Sequence, residues 1–318
     1  MTGGAAPPTG PVAPAPTAAV DGVPPAGAPL RLRGRVVGAD RPVVMAVVNR
    51  TPDSFYAAAR HDDASADAAV ARAAEEGAGI VDLGGVRAGR GPHVDAAEEV
   101  ARVVPLVARV RARHPDLLVS IDTWRADVAR AAADEGVDLV NDTWAGHDPH
   151  LVEVAAERGL GVVCSHTGGA RPRTDPFRVA YPGDGLDGVL DDVLATVTAG
   201  ARRAVALGVD PASVLVDPTH DFGKNTWHSV HLLRRTAALV ATGFPVLMAL
   251  SRKDFVGESL DLPVDDRLEG TLAATSVAAW LGARVFRAHD VAATRRTVDM
   301  VAVLRGDAAP ARAVRGLA

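Results

Sequence analysis

Cysteine is almost missing from this chain of 318 residues, in which Cys164 stands alone. A single thiol excludes an internal disulfide, and its place in the apolar run Gly161-Val162-Val163-Cys164 reads as a small buried hydrophobe rather than a nucleophile. Aromatic residues are scarce at 4%, against 48% hydrophobic residues in all. Ala, Val and Leu must therefore fill the core, which suits helices packed on a parallel sheet better than a β-sandwich. No apolar stretch reaches the roughly 18 residues of a membrane-spanning helix, so a cytoplasmic protein is expected. Long basic runs are also missing, and the formal net charge is -5. Nucleic acid and anionic membranes are thereby excluded as partners drawn in by bulk electrostatics. The ten histidines are dispersed, with no His/Cys cluster at transition-metal spacing. Finally, no strand candidate runs into a G-x-G-x-x-G dinucleotide fingerprint.

What is present is organised. Residues 1–28 are dominated by Ala, Pro and Gly, without hydrophobic period or a charged segment ahead of an apolar one, and read as a disordered tail rather than a signal peptide. A single domain is expected over 29–306, followed by a C-terminal extension at 307–318. Arg31 to Asp40 has the alternation of a short hairpin, with turns at Gly34 and Gly38. From Pro42 onward short apolar runs alternate with longer Ala-rich segments. Strands are expected at Val43–Val48, Gly79–Leu83, Leu117–Ile121, Val137–Val140, Leu160–Cys164, Ser213–Val216, Pro245–Leu250 and Arg284–Phe286. Helices are expected at Ala64–Glu76, Ala96–Arg113, Trp124–Glu135, Leu186–Leu207 and Arg267–Leu281. The economical fold is α/β, one (β/α)8 TIM barrel; a doubly wound open sheet is the alternative.

Barrel enzymes collect their chemistry where the strands finish. Here each strand candidate finishes on polar residues: Asn49, Asp82, Asp122, Asn141 with Asp142, His166, Asp217, Ser251-Arg252-Lys253, and Arg287 with His289. One such residue is an ordinary helix cap or turn former. A full ring of them describes a pocket. Its carboxylates and amides suit the donor-rich edge of a flat heterocycle, and Lys253, Arg287 and His289 suit an attached anion. A hard cation such as Mg2+, held by Asn49 and the ligand's phosphates, fits this set better than zinc.

The strings Asn49 to Phe55, Asp82-Leu83-Gly84-Gly85, Ser120-Ile121-Asp122-Thr123, Val140-Asn141-Asp142, Asp217-Pro218 with Phe222-Gly223-Lys224, Ser251-Arg252-Lys253 and Arg287-Ala288-His289-Asp290 occur in one order along the chain. Together they resemble the dihydropteroate synthase family, from about Arg31 to Leu304. Within that family the chain is most similar to divergent second copies found in actinobacteria, in the Thr-Gly-Gly after His166 and the terminal Arg-Gly-Leu-Ala. The resemblance implies a pterin-binding TIM barrel, usually homodimeric, with Ala-rich late helices such as Thr271 to Leu281 as plausible contacts. It also implies a transferase of folate biosynthesis, joining 6-hydroxymethyl-7,8-dihydropterin diphosphate to 4-aminobenzoate with Mg2+. By position, Asp82, Asp122, Asn141, Asp217, Lys253 and Arg287 would bind the pterin. Asn49, Arg287 and His289 would take the Mg2+-diphosphate, and Lys253 and Asp122 would be the catalytic candidates.

The same comparison shows departures. Where the family continues Ser-Asp-Gly-Gly after Phe55, this chain has Tyr56-Ala57-Ala58-Ala59, so Ala57 replaces a loop carboxylate that Asp62 or Asp63 would have to supply. Where the family has Glu-Ser-Thr-Arg-Pro-Gly, it has Val86-Arg87-Ala88-Gly89-Arg90-Gly91-Pro92, losing hydroxyls and keeping positive charge. Asp254 replaces a serine near the expected aminobenzoate carboxylate, an anion facing an anion. Thr219 and Asp221 occupy glycine positions of an Asp-Pro-Gly-x-Gly-Phe pattern and would narrow the pocket. The expected function is a dihydropteroate synthase-like protein that binds a pterin, and an aryl amine as second ligand, with impaired or lost turnover. An active synthase and a non-catalytic dimeric scaffold are the alternatives.

Overall fold

The computed structural model describes residues 23–50, 63–174, 179–183, 185–312 and 314. Most of the tail expected at 1–28, the Thr51 to Ala59 loop with Ala57, Asp62 and the terminal Arg315 to Ala318 lie outside the described residues.

The alternation of apolar runs and Ala-rich segments folds as expected for a barrel. A hairpin of β1 (Leu30–Leu32) and β2 (Arg35–Val37) comes first, turning through Arg33 and Gly34. Then follow β3 (Val43–Asn49), α1 (Asp63–Glu75), β4 (Ile80–Gly84), α2 (Ala96–Arg113), β5 (Leu118–Asp122), α3 (Ala126–Asp134), β6 (Leu139–Asp142), α4 (Leu151–Arg158) and β7 (Gly161–Cys164). The second half runs α5 (Asp187–Ala206), β8 (Val214–Val216), α6 (Thr226–Arg234), α7 (Thr236–Val240), β9 (Leu247–Ala249), α8 (Asp254–Leu260), α9 (Leu268–Trp280), β10 (Val285–Ala288) and α10 (Val291–Arg305). The large sheet is eight-stranded in the order β8-β7-β6-β5-β4-β3-β10-β9, every described pairing parallel. A parallel bridge between Val216 and Val246, with the Val216 N–H donating to the Pro245 carbonyl at 2.9 Å, closes the ring.

Burial explains why the strands lack the in-and-out alternation of a half-exposed sheet. One set of side chains packs outward against the helices, and the other fills the barrel. The interior layer contains Met45, Ile80, Leu118, Leu139, Val163, Leu215, Leu247 and Val285, and the hairpin pushes Leu30 and Leu32 into its lower end. Gly161 is the space that admits them, since a Cβ there would lie 2.5 Å from a Leu32 methyl. The described end of the N-terminal segment is fastened to the same side: the Gly27 N–H donates to the Gly282 carbonyl at 2.9 Å, and Arg305 holds the Pro24 carbonyl at 2.9 Å.

Several strands run one or two residues past their expected ends, because Asn49, Gly84, Asp122 and Asp142 continue the backbone ladder. The ladder needs only amide groups and is indifferent to side-chain polarity. Short helices escaped the sequence pattern; α6, for instance, starts on a capping box between Asn225 and His228. Among the described residues no helix is long and apolar enough to cross a membrane.

The hairpin plug generates a stability prediction. Leu30→Ala should destabilise the protein by about 2–5 kcal/mol, the range for an emptied buried leucine site. Urea unfolding of both proteins measures it, and a change within about 0.5 kcal/mol would show that the plug carries no core weight.

Candidate functional site

The register of the sheet decides which strand ends meet. Val47 pairs with Asp82, Gly84 with Asp122, and Asp122 with Asn141, while Arg287 pairs with Met45 on the other side. Arg287 therefore reaches past β3 to carboxylates on β4 and β5. Its Nε donates to Asp82 Oδ2 at 2.6 Å and its Nη2 to Asp122 Oδ2 at 2.7 Å. Asn141 adds its side-chain N–H to the same Asp82 oxygen at 3.0 Å, and the Thr143 hydroxyl donates to Asp122 Oδ1 at 2.9 Å. Gly84 leaves the necessary room: a Cβ there would stand 3.0 Å from Asn49 Oδ1 and 3.7 Å from the Asp122 Cβ.

Above this cluster opens a cavity of about 330 Å³. Asn49, Asp122, Asn141, Asp217, Ser251, Lys253, Arg287 and His289 all line it, so most of the strand-end residues converge. Asp82 lies just beneath, with no exposed surface. Three strand-end residues point to other work. Asp142 accepts the Trp144 and Gly146 N–H groups and shapes the turn after β6. Arg252 reaches the cavity wall, but its guanidinium is clamped by Asp290 and by the Val264 and Asp265 carbonyls. His166 bonds Asp192 at 2.7 Å beside a separate, larger cavity of about 540 Å³. That cavity lacks the converging charges, and the smaller one is the candidate site.

Electrostatics divide the site's groups. Removal from water, chiefly, and the charge of Asp82 push the Asp122 carboxyl up to about 7, against the pull of Arg287. Burial likewise raises Asp217, opposed by Lys253, and lowers the Lys253 ammonium, opposed by Asp221 and Asp217. The His289 imidazole falls to about 3, through burial first and the neighbouring Arg287 second. It bonds the Ser251 hydroxyl at 3.0 Å, and as a neutral ring it would meet an anion through a hydrogen bond. Lys253 donates to the His220 carbonyl and lies 5.1 Å from the centre of the Phe222 ring.

The loop from Asp217 to Lys224 shows how side chains replaced glycines. Thr219 has φ 52° and Asp221 φ 69°, the left-handed region that glycine enters without strain. Each offsets its strain by bonding. Thr219 Oγ1 accepts the His166 N–H at 3.1 Å, and Asp221 Oδ2 accepts the Asp254 N–H at 2.7 Å where α8 begins. Both residues line the cavity. Lys224, fully buried, ties the loop down through the His166, Thr219 and Phe222 carbonyls at 2.9, 3.1 and 2.8 Å. Sequence reasoning named this lysine only within the string Phe222-Gly223-Lys224 and gave it no role, since no pattern marks a buried cation, and it passed over the Trp144–Phe222 edge contact at 5.2 Å that forms one wall. Thr143 was legible only as the second residue past Asn141.

The clash expected at Asp254 is offset by pairing. At the edge of the cavity, its carboxylate accepts from Arg267 Nη1 at 2.8 Å and is 78% exposed, so it is paired with a cation and open to water. Among the described residues no group of three or more His, Cys, Asp or Glu is placed to hold a metal.

Comparison with known proteins converges on one group. A family model described as pterin binding enzyme matches residues 45–289. The chain is 59% identical over 288 residues to a Mycobacterium leprae protein named inactive dihydropteroate synthase 2, covering 90% of this chain and 99% of that one. It is 37% identical over 271 residues to the dihydropteroate synthase of Haemophilus influenzae, covering 84% and 94%. The solved dihydropteroate synthase of Coxiella burnetii in complex with pteroic acid superposes with a TM-score of 0.76 at 30% identity, covering 87% of this chain and 98% of that one.

Two outcomes follow from the buried charges. Asp82→Asn leaves Arg287 with one carboxylate fewer and should cost about 3–5 kcal/mol in urea unfolding; a loss below about 1 kcal/mol would mean that the pair is not structural. Asp122, raised in the folded state from 3.8 to about 7, binds its proton more tightly folded than unfolded. Its contribution to stability is thus present in acid and is lost as pH rises from about 4 to about 7. Across that window Asp122→Asn should show a shallower fall of unfolding free energy than the parent, and parallel curves would contradict the assignment.

Proposed function

Since the chain belongs to the family of pterin-binding enzymes, we propose that it binds a pterin ring in the barrel mouth without acting as an efficient dihydropteroate synthase. The observation that carries this is the convergence of Asp122, Asn141, Asp217 and Lys253 on one cavity, above the Asp82–Arg287 pair. Asp122, Asn141 and Asp217 offer acceptors to the ring's N–H groups, and Asn141 and Lys253 also offer donors. Charged partners make such bonds stronger than neutral ones.

Loss of turnover is supported on the side of the second substrate and the leaving group. The family reaction expels diphosphate and leaves a pterin-methyl cation, which needs negative charge placed in advance. Here Ala57 stands where the family has a loop carboxylate, and Asp82 and Asp122 are already bound to Arg287. Diphosphate binding is weakened in the same way: the Arg287 guanidinium is engaged by two carboxylates, and His289 is neutral. The relative named inactive dihydropteroate synthase 2 agrees with this reading.

Mg2+ would come with the ligand rather than reside in the protein. A hard cation wants about six oxygen ligands, and Asn49 is the protein's contribution at the cavity, the remainder falling to diphosphate oxygens. When bound so, the ion neutralises diphosphate charge. A cytoplasmic homodimer belongs to the same proposal. Val277 on α9, and Met300 and Leu304 on α10, are apolar and 46%, 54% and 56% exposed, which supports these helices as the contact.

Titration of the purified protein with a 6-hydroxymethylpterin should give saturable binding in the micromolar range. Supplied with the pterin diphosphate, 4-aminobenzoate and Mg2+, it should form product far more slowly than an ordinary enzyme; turnover on the order of 1 s⁻¹ or above would refute the proposal. Mg2+ alone should leave the melting temperature unchanged, because no protein cage is there to be filled. A rise of several degrees with the metal alone would reveal a resident site.

A further inference from the structure

The larger cavity, about 540 Å³, is walled by the segments that follow β6 and β7 and by one side of α5. It touches the ring site only through Trp144, which borders both. The ring of strand-end charges is missing from it, yet it holds two opposite charges that are kept apart. Arg171 is the cation, exposed and with no partner for its guanidinium among the described residues. Asp192, on α5, is the carboxylate, 38% exposed. They form no ion pair with each other; Asp192 Oδ2 is instead held by His166 Nε2 at 2.7 Å. Burial first, and Lys224 second, lower the His166 imidazole to about 4, so the neutral ring gives its one N–H to Asp192. The ring is 1% exposed and its Nδ1 has no partner, while Asp192 Oδ1 takes no hydrogen bond from a described residue.

The wall around these charges is built rather than loose. The Tyr181 hydroxyl donates to the Gly223 carbonyl at 2.6 Å, and its ring packs 5.8 Å from His166 and 5.2 Å from His228. Gly168, at φ 61°, makes room for it, since a Cβ there would lie 2.5 Å from the tyrosine oxygen. Ala145, Ala170 and Val179 add apolar surface. An anion alone would satisfy Arg171 and face Asp192 uncompensated, and a cation alone would do the reverse. A ligand complementary to the whole cavity carries both signs on an apolar body.

We propose that this cavity binds a small amino-carboxylate, its carboxylate on the Arg171 guanidinium and its amino group on Asp192. A guanidinium fork matches a carboxylate, and the His166 N–H fixes Asp192 so that its other oxygen is left to accept from an amine. An aminoaryl acid and an aliphatic amino acid share this chemistry. The site uses none of the carboxylates or the lysine of the ring site, so it stands or falls separately from the pterin proposal.

The test is calorimetric titration of the full chain with 4-aminobenzoate, with leucine, with their deaminated counterparts benzoate and 4-methylpentanoate, and with inorganic phosphate. Either amino-carboxylate should bind at least about tenfold more tightly than its deaminated counterpart or phosphate, and which of the two does so identifies the source. Arg171→Gln and Asp192→Asn should each weaken that binding about five- to tenfold. Saturating 6-hydroxymethylpterin should not displace the ligand, and both variants should bind the pterin as the parent does. Melting curves check that Asp192→Asn folds; if it does not, Arg171→Gln, on an exposed loop position, decides with the deaminated pair. Equal affinity for benzoate and 4-aminobenzoate and for 4-methylpentanoate and leucine overturns the proposal. So does affinity unchanged in Arg171→Gln, displacement by the pterin, or no binding of either amino-carboxylate at millimolar concentration. If the pterin itself fails to bind, the two variants alone locate the site.

Discussion

Two carboxylates buried at the end of a barrel cannot stay close together without a cation between them, and Arg287 is that cation. It reaches Asp82 at 2.6 Å and Asp122 at 2.7 Å from a strand that adjoins neither of theirs. The requirement propagates. Gly84 must lack a side chain so that Asn49 and Asp122 fit on either side, and Asn141 must turn its amide towards Asp82. A cavity whose base is fixed in this way is preorganised for a ring that reads carboxylates and amides. The outer core and the Leu30–Leu32 plug set the strand register that brings the three groups together. A one-residue slip of β10 would turn Arg287 to the other face.

Much of this was legible in the sequence. The eight apolar runs gave the strands, because both faces of each are buried and hydrophobicity is continuous there. The polar residues that end those runs gave most of the cavity lining, because chain order and barrel topology together bring strand ends to one face. What stayed hidden depended on side-chain direction. Asp254 and Arg252 line the cavity with Ser251 and Lys253, yet their charges are engaged, one by Arg267 and the other by Asp290. His289 looks like an anion binder, and only the structure shows the burial and the nearby Arg287 that favour its neutral ring. Lys224 looks like a surface lysine and is a fully buried tie between two loops. No periodicity in a single chain reports which way a long side chain turns.

The loops tell a different history from the floor. Thr219 and Asp221 adopt a backbone conformation that favours glycine and bear side chains that bond the His166 and Asp254 N–H groups. In the stretch from Val86 to Pro92, hydroxyl chemistry gave way to arginine, and Arg173 reaches over to fasten it. Such differences lie at the mouth of the barrel, above the Asp82–Arg287–Asp122 base. On the function proposed above, the recognition half of an enzyme is kept and the turnover half is lost.

The central claim is that ligand recognition starts from the Asp82–Arg287–Asp122 base. A crystal structure of the protein with 6-hydroxymethylpterin tests it most directly. The account predicts the ring over Arg287, its N–H groups on Asp122 and Asp217 and its edge on Asn141 and Lys253. A ring seated beside His166 and Asp192, or no ring bound at saturating ligand, would contradict it.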